Sequence, residues 1–144
     1  MFDAIPQLGF YQPSLLALAL LCMAVLVQSF LTAPLAFVSN EQVPGMPLKG
    51  DHTLRSFRVL RAYQNSVESL PTFGLAIILA IILGVNAELV NWLAAIHVVA
   101  RLAFWIVYYS GVGSVAGGLR TLCYVGGMLS NLVLLGASVY VLAV

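Results

Sequence analysis

The fold of this chain is decided by its first apolar stretch, SLLALALLCMAVLVQSFLTAPLAFV, which runs from Ser14 to Val38 and contains no charged side chain. A helix needs about 20 mostly apolar residues to cross the hydrocarbon core of a bilayer, and this stretch is long enough. A cleavable signal peptide fits it poorly, because no basic region precedes it and no small-residue cleavage site follows before Pro34. The stretch therefore predicts a first transmembrane helix.

Three further apolar stretches follow, and they run from Leu54 to Leu83, from Ala87 to Ser110 and from Leu119 to Val144. They are joined by a tight turn at Gly84–Asn86 and by a glycine-rich bend at Gly111–Gly118. Short turns between long helices favour antiparallel neighbours. The sequence therefore predicts an all-α membrane protein, in which residues 1–144 form a single domain of four transmembrane helices in an up-down-up-down bundle.

Composition excludes several other classes of protein. The chain is 62% hydrophobic and 8% charged, with a mean hydropathy of +1.03, whereas a soluble domain carries about 25% charged residues. A net charge of +1 leaves no basic field for a nucleic acid. Cys22 and Cys123 lie in separate apolar stretches, and His52 and His97 lie in different segments, so neither a disulfide framework nor a metal site is indicated.

Basic residues are distributed unequally between the two ends of the predicted helices. One end carries Lys49, Arg55, Arg58, Arg61 and Arg120, whereas the other carries only the acidic residues Asp3 and Glu88. Cytoplasmic loops of membrane proteins are enriched in Lys and Arg. We therefore expect a multi-pass integral membrane protein whose two termini face away from the cytoplasm and whose long loop, Ser39–Thr53, lies inside it.

The second helix carries a polar stripe that enters the membrane, formed by Arg58, Arg61, Asn65, Glu68 and Thr72 at spacings of three, four, three and four. Such spacing places side chains on one helix face. One interpretation is that the arginines anchor in the headgroups and pair with Glu68. The other, which also accounts for an amide and a carboxylate on the same face, is one wall of a polar cavity within the bundle.

The third and fourth helices bring further polar residues to the same depth. Arg101 lies too deep to reach water, so we expect either a structural ion pair, with Glu68 as its partner, or a place in the site. His97 lies deeper and is expected to be a neutral hydrogen-bonding group between helices. Arg120 and Tyr124 share one face of the fourth helix, while Cys123 is more typical of a small buried residue than of a nucleophile.

These residue types indicate a ligand class. Arginine binds carboxylates with two parallel hydrogen bonds, and a carboxylate binds an ammonium group. Together they predict a small zwitterionic ligand with several carboxylates that enters from the cytoplasm, and an apolar co-substrate that approaches through the lipid.

The segment RVLRAYQNSVESLP resembles a signature of the MAPEG family, the membrane-associated proteins in eicosanoid and glutathione metabolism. Its Arg-Ala-x-x-Asn-x-x-Glu pattern is matched by Arg61, Ala62, Asn65 and Glu68. The segments RLAFWIVY, with an Arg and a Tyr seven residues apart, and RTLCY are similar to the family's third- and fourth-helix patterns. The likeness covers all four helices in order, together with the long first loop.

This resemblance implies a homotrimer with a glutathione site between neighbouring subunits near the cytoplasmic face. It implies that Arg120 is catalytic, close to the sulfur, and that glutathione is bound by Arg58, Arg61, Asn65, Glu68, Tyr108, Thr121 and Tyr124. Glutathione would be a co-substrate. Because an ordinary thiol has a pKa of about 8.5, a neighbouring arginine would favour the reactive thiolate.

Two features depart from the family pattern. The first helix contains no Lys or Arg, whereas some members have a basic ligand contact near its end, and Phe104 stands where some members carry a histidine. Prostaglandin-specific chemistry is therefore not supported.

Three hypotheses follow. The first is a detoxifying glutathione transferase or peroxidase that conjugates small apolar electrophiles or reduces lipid hydroperoxides. The second is a non-catalytic membrane protein that binds a lipid or an anionic metabolite in the same cleft, because the resemblance alone does not establish an enzyme. The third is a structural bundle whose polar residues pair across helices, for which Glu68→Gln would destabilise the protein with or without ligand.

Overall fold

The computed structural model describes residues 6–43, 45–113 and 117–144. A short 3₁₀ helix, Pro6–Tyr11, leads into four α-helices: α1, Gln12–Ser39; α2, Arg55–Ile82; α3, Ala87–Ser110; and α4, Leu119–Ala143. Each is long and apolar enough to cross a membrane. The predicted all-α architecture and its four spans are thus confirmed, with helix ends that differ from the expected ones by at most two residues.

The short connections have the backbone geometry that ends helices. Gly84 and Gly111 adopt the left-handed conformation, with φ of 69° and 70°, which glycine enters without steric cost. At the start of α3, the Asn86 side chain caps the helix by accepting a hydrogen bond from the backbone N–H of Leu89. Residues 114–116 of the predicted glycine-rich bend, and Asp3, lie outside the described residues.

The helices pack so that α1 contacts α2 and α3, while α4 contacts α3 and α2. The start of α1 lies beside the turn between α2 and α3, since the Tyr11 hydroxyl donates to the carbonyl of Val85 at 2.6 Å. The main apolar core lies in this half of the bundle and is formed around Phe73, Ile77 and Leu134.

Most outward-facing side chains of the helices are apolar. Phe30, Leu31, Trp92, Ile106 and Tyr140 are each more than 60% exposed. A water-soluble domain of this size does not present apolar side chains over all its helices, whereas such a surface suits lipid. The chain is therefore a multi-pass integral membrane protein.

The end of the bundle away from that apolar core carries most of the charged residues. There the loop before α2 folds back on itself, as the Gln42 side chain bonds to both the carbonyl and the N–H of Lys49. This arrangement brings residues 51–53 next to the beginning of α4.

Candidate functional site

A groove opens between α2, α3 and α4 at the polar end of the bundle, with a volume of about 270 Å³. Its lining contains every residue predicted to bind glutathione or to catalyse except Arg58, together with Phe104: Arg61, Asn65, Glu68, Phe104, Tyr108, Arg120, Thr121 and Tyr124. Three helices therefore contribute to one concave surface, which we call the polar groove.

One wall of the polar groove carries an ion pair along α2. Arg61 donates to Glu68 at 3.1 Å and to Gln64 at 3.4 Å. The Glu68 side chain is 58% exposed and lines the groove, and its ion pair with Arg61 is the pairing that the first interpretation of the stripe expected. Because both side chains are accessible, both are able to exchange their mutual contact for contacts with a charged ligand.

Arg120 forms the opposite wall, at the first turn of α4. It is 5% exposed, and its guanidinium carbon lies 4.8 Å from the centre of the Tyr108 ring. One of its terminal nitrogens lies 3.1 Å from Nδ1 of His52, in the loop before α2. The guanidinium is thus held in place by an aromatic face and an imidazole, and neither contact neutralises its charge.

Arg101 lies behind the groove, and the predicted ion pair between Arg101 and Glu68 is wrong. The Arg101 side chain donates to Asn65 Oδ1 at 2.7 Å and to Ser66 Oγ at 3.4 Å. Glu68 lies on the groove side of α2, whereas Ser66 faces the interior, where it also accepts a hydrogen bond from Trp105 at 2.8 Å. The guanidinium of Arg101, which is only 3% exposed, therefore holds the Asn65 amide in place from the side away from the groove.

Arg58 does not line the polar groove. It donates to the backbone carbonyls of His52 and Thr53, at 2.9 and 3.0 Å, and it packs against the end of α3 at Gly111. Arg58 therefore attaches the loop to α2, and the ligand contact that the resemblance implied stays a prediction.

A second, mostly apolar groove of about 280 Å³ continues from the polar groove between α2 and α4. The two share Asn65, Glu68 and Tyr124. Further along, Asn131 is 7% exposed, and its Oδ1 has no hydrogen-bond partner within the described part of the chain. Asn131 was not among the predicted site residues, although it lies seven residues after Tyr124 on the same face of α4.

The charged groups in the loop have altered acid–base behaviour. Burial, and then the nearby charge of Arg120, lower the pKa of His52 from its ordinary value of 6.5. Hydrogen bonds from Thr53 lower the pKa of the Asp51 carboxyl. At neutral pH, His52 is therefore uncharged beside Arg120, and Asp51 is ionised.

His97, deep in α3, has structural contacts with α4. Nδ1 of His97 lies 3.1 Å from the Gly127 carbonyl and 3.2 Å from the Ser130 hydroxyl, which confirms the expected link between helices. A Cβ at Gly127 would lie 3.7 Å from the His97 ring, which is an ordinary van der Waals contact. Within residues 6–43, 45–113 and 117–144, no cluster of three or more His, Cys, Asp or Glu side chains forms a potential metal site.

A comparison with models of protein families finds a match. The family model described as "MAPEG family" matches residues 14–140, which include α2 and α3 entirely, α1 except its first two residues and α4 except its last three. No curated protein sequence matches the chain.

Proposed function

Because the chain belongs to the MAPEG family, whose members are membrane proteins related to glutathione and eicosanoid metabolism, we propose that it is a glutathione-dependent transferase and peroxidase. The observation that carries this proposal is the polar groove, where residues far apart in sequence line one cavity. Glutathione is a small peptide with two carboxylates, one ammonium group and one thiol, and the groove combines side chains suited to each of these groups.

Binding follows from the charges on the groove walls. Arg61 offers a fork of hydrogen-bond donors to a carboxylate of glutathione, and Glu68 offers its carboxylate to the ammonium group. Tyr108, Thr121 and Tyr124 add hydroxyl groups along the same surface. Asn65 already gives its side-chain oxygen to Arg101, so only its amide N–H₂ remains for the ligand.

Catalysis in this proposal rests on Arg120. A positive charge beside the sulfur lowers the pKa of the thiol, whose proton passes to water. The thiolate then forms a bond to carbon of an apolar electrophile as the leaving group departs. Toward a hydroperoxide the thiolate attacks the terminal oxygen and the O–O bond breaks, which gives glutathione sulfenic acid and an alkoxide that takes a proton from water and leaves as an alcohol. A second glutathione then converts the sulfenic acid to a disulfide and water.

We assign the apolar substrate to the groove between α2 and α4, because it shares residues with the polar groove and most of its surface is apolar, with Met128, Leu132 and Leu135 in its lining. We further propose that successive helices alternate in direction, that both termini face away from the cytoplasm, and that the polar groove opens near the cytoplasmic face. The distribution of Lys and Arg supports this orientation. A homotrimer in which a neighbouring subunit completes the site is likewise part of the proposal.

A second candidate function is a non-catalytic binding protein that holds a lipid or an anionic metabolite in the same cleft. The absence of Lys and Arg from α1 favours it, because a site between subunits would then lack one basic contact.

Steady-state turnover distinguishes the two functions. Purified protein in detergent would be assayed with 1-chloro-2,4-dinitrobenzene and with cumene hydroperoxide, at varied glutathione. We expect Arg120→Ala to lower kcat by about 20-fold, the loss of thiolate when a pKa near 6.5 returns to about 8.5, while KM for glutathione changes far less. The exposed loop variant Lys49→Gln serves as control. No turnover by the wild-type protein, with retained ligand binding, would favour the non-catalytic function.

A further inference from the structure

The contact between His52 and Arg120 fixes the protonation state of the imidazole. A guanidinium has five N–H donors and no acceptor. Nδ1 of His52, 3.1 Å from a terminal nitrogen of Arg120, must therefore accept the hydrogen bond. The ring is thus neutral, with its proton on Nε2.

The His52 ring is also part of an aromatic cluster that includes the groove wall. It makes edge-to-face contacts with Tyr108, at 5.4 Å between ring centres, and with Phe57, at 5.1 Å. Tyr108 in turn lies beneath the Arg120 guanidinium. His52 and Tyr108 therefore restrict Arg120 from two directions.

Arg58 explains why a loop residue is able to hold this position. Its two hydrogen bonds to the carbonyls of His52 and Thr53 attach the loop to the first turn of α2. On its other side, the guanidinium lies about 3.0 Å from where a Cβ on Gly111 would be, so α3 ends against it. The backbone of His52 is thus anchored to two helices, while its side chain reaches a third.

We infer that His52 is a positioning residue for Arg120. Its neutral imidazole holds the guanidinium over the polar groove, and protonation of the imidazole releases the guanidinium. The inference rests on the proposed function, since it adds control by mild acid to the same site. On protonation, Nδ1 becomes a donor and loses its bond to Arg120, and two cations then face each other at contact distance.

The charged groups around His52 determine whether its pKa is raised or lowered. The charged or titratable groups that face it from the loop, α2, α3 and α4 are Asp51, Arg58, Arg61, Tyr108 and Arg120. Burial and the arginines lower the pKa of His52, and Asp51 opposes them. The hydrogen bond is therefore complete at neutral pH and is lost as the pH falls through a value below 6.5.

Two variants separate positioning from structure. His52→Asn places an amide oxygen near the position of Nδ1, so it keeps an acceptor that does not titrate. His52→Phe keeps a ring against Tyr108 but removes the acceptor. Lys49→Gln, in the same loop, is the matched control. The pH profile of kcat/KM for glutathione conjugation would be measured for all four proteins from pH 5 to 8.

We expect the logarithm of wild-type kcat/KM to fall in acid with a slope of one as the thiol is protonated, and to lose a further factor of about ten as His52 is protonated, so that the slope exceeds one only through that titration. His52→Asn should keep the neutral rate within about threefold and fall with a slope of one. His52→Phe should lose on the order of tenfold at neutral pH through displacement of Arg120. Profiles of both variants that match the wild type would overturn the inference.

A second measurement does not depend on glutathione activity. The pKa of His52 would be determined by NMR in the wild-type protein and in Arg120→Gln. Removal of the neighbouring cation should raise the pKa of His52 toward its ordinary value, and an unchanged pKa would overturn the inference. Absence of thiol activity, together with the expected rise in the pKa of His52 in Arg120→Gln, would refute the proposed function. It would leave the contact between His52 and Arg120 established.

Discussion

Replacement of Asn65 by Ala provides a sharp test of how the buried part of the site is built. Arg101 is 3% exposed, and its short hydrogen bond at 2.7 Å is to Asn65, whereas its contact with Ser66 is long, at 3.4 Å. A hydrogen bond to a charged group contributes about 1.5–3 kcal/mol. Because Arg101 is fully buried, we expect a loss near the upper end, about 3 kcal/mol.

The assay is thermal unfolding of ligand-free protein in detergent. For a chain of this length, a loss of about 3 kcal/mol lowers Tm by about 10 °C. Asn65→Asp should keep Tm near the wild-type value, because a carboxylate of the same shape accepts the hydrogen bond from Arg101. Glu68→Gln is the matched control, since its ion pair with Arg61 is accessible to solvent. A Tm of Asn65→Ala no lower than that of Glu68→Gln would refute this account of Arg101.

Two further predictions concern the groove wall and the loop. Glu68→Gln should weaken glutathione binding by about tenfold in a calorimetric titration, through loss of an ion pair with the ammonium group, while stability changes by less than about 1 kcal/mol; a large loss of stability without ligand would instead support the structural-bundle hypothesis. Arg58→Met removes two hydrogen bonds to the loop, so trypsin should cleave after Lys49 faster than in the wild-type protein, and an unchanged cleavage rate would contradict the anchoring role.

The fold was predictable because its determinants are local. Each span is an apolar stretch long enough to cross a bilayer as a helix. In lipid, such a stretch forms a helix because its backbone polar groups must bond to one another. Glycines at 84 and 111 mark the helix ends because they supply the left-handed backbone that the turns need. The two internal prolines, Pro34 and Pro71, do not end their helices.

The residues that line the polar groove were predictable from the sequence, but the hydrogen bonds between them were not. The three-four spacing of Arg61, Asn65 and Glu68 places them on one helix face, yet it does not determine which of them faces a neighbouring helix. The orientation of α2 about its own axis, which we call its rotation, places Asn65 against α3 and leaves Glu68 accessible. This rotation results from packing, and it explains why Arg101 bonds to an amide rather than to the expected carboxylate.

The contact between His52 and Arg120 could not be predicted, because it depends on the path of a loop. The sequence shows only that His52 lies three residues before α2, at the same end of the bundle as Arg120. The role of Arg58 in the loop was hidden for the same reason. Its spacing matched the polar stripe, while its partners are backbone carbonyls, which leave no pattern in the sequence.

The most direct test of the proposed function is a glutathione titration of purified protein near neutral pH, followed by thiolate absorbance. The proposal predicts a saturable thiolate signal that is largely lost in Arg120→Ala and retained in Lys49→Gln. Absence of any thiolate signal at millimolar glutathione, in protein that remains folded, would contradict it.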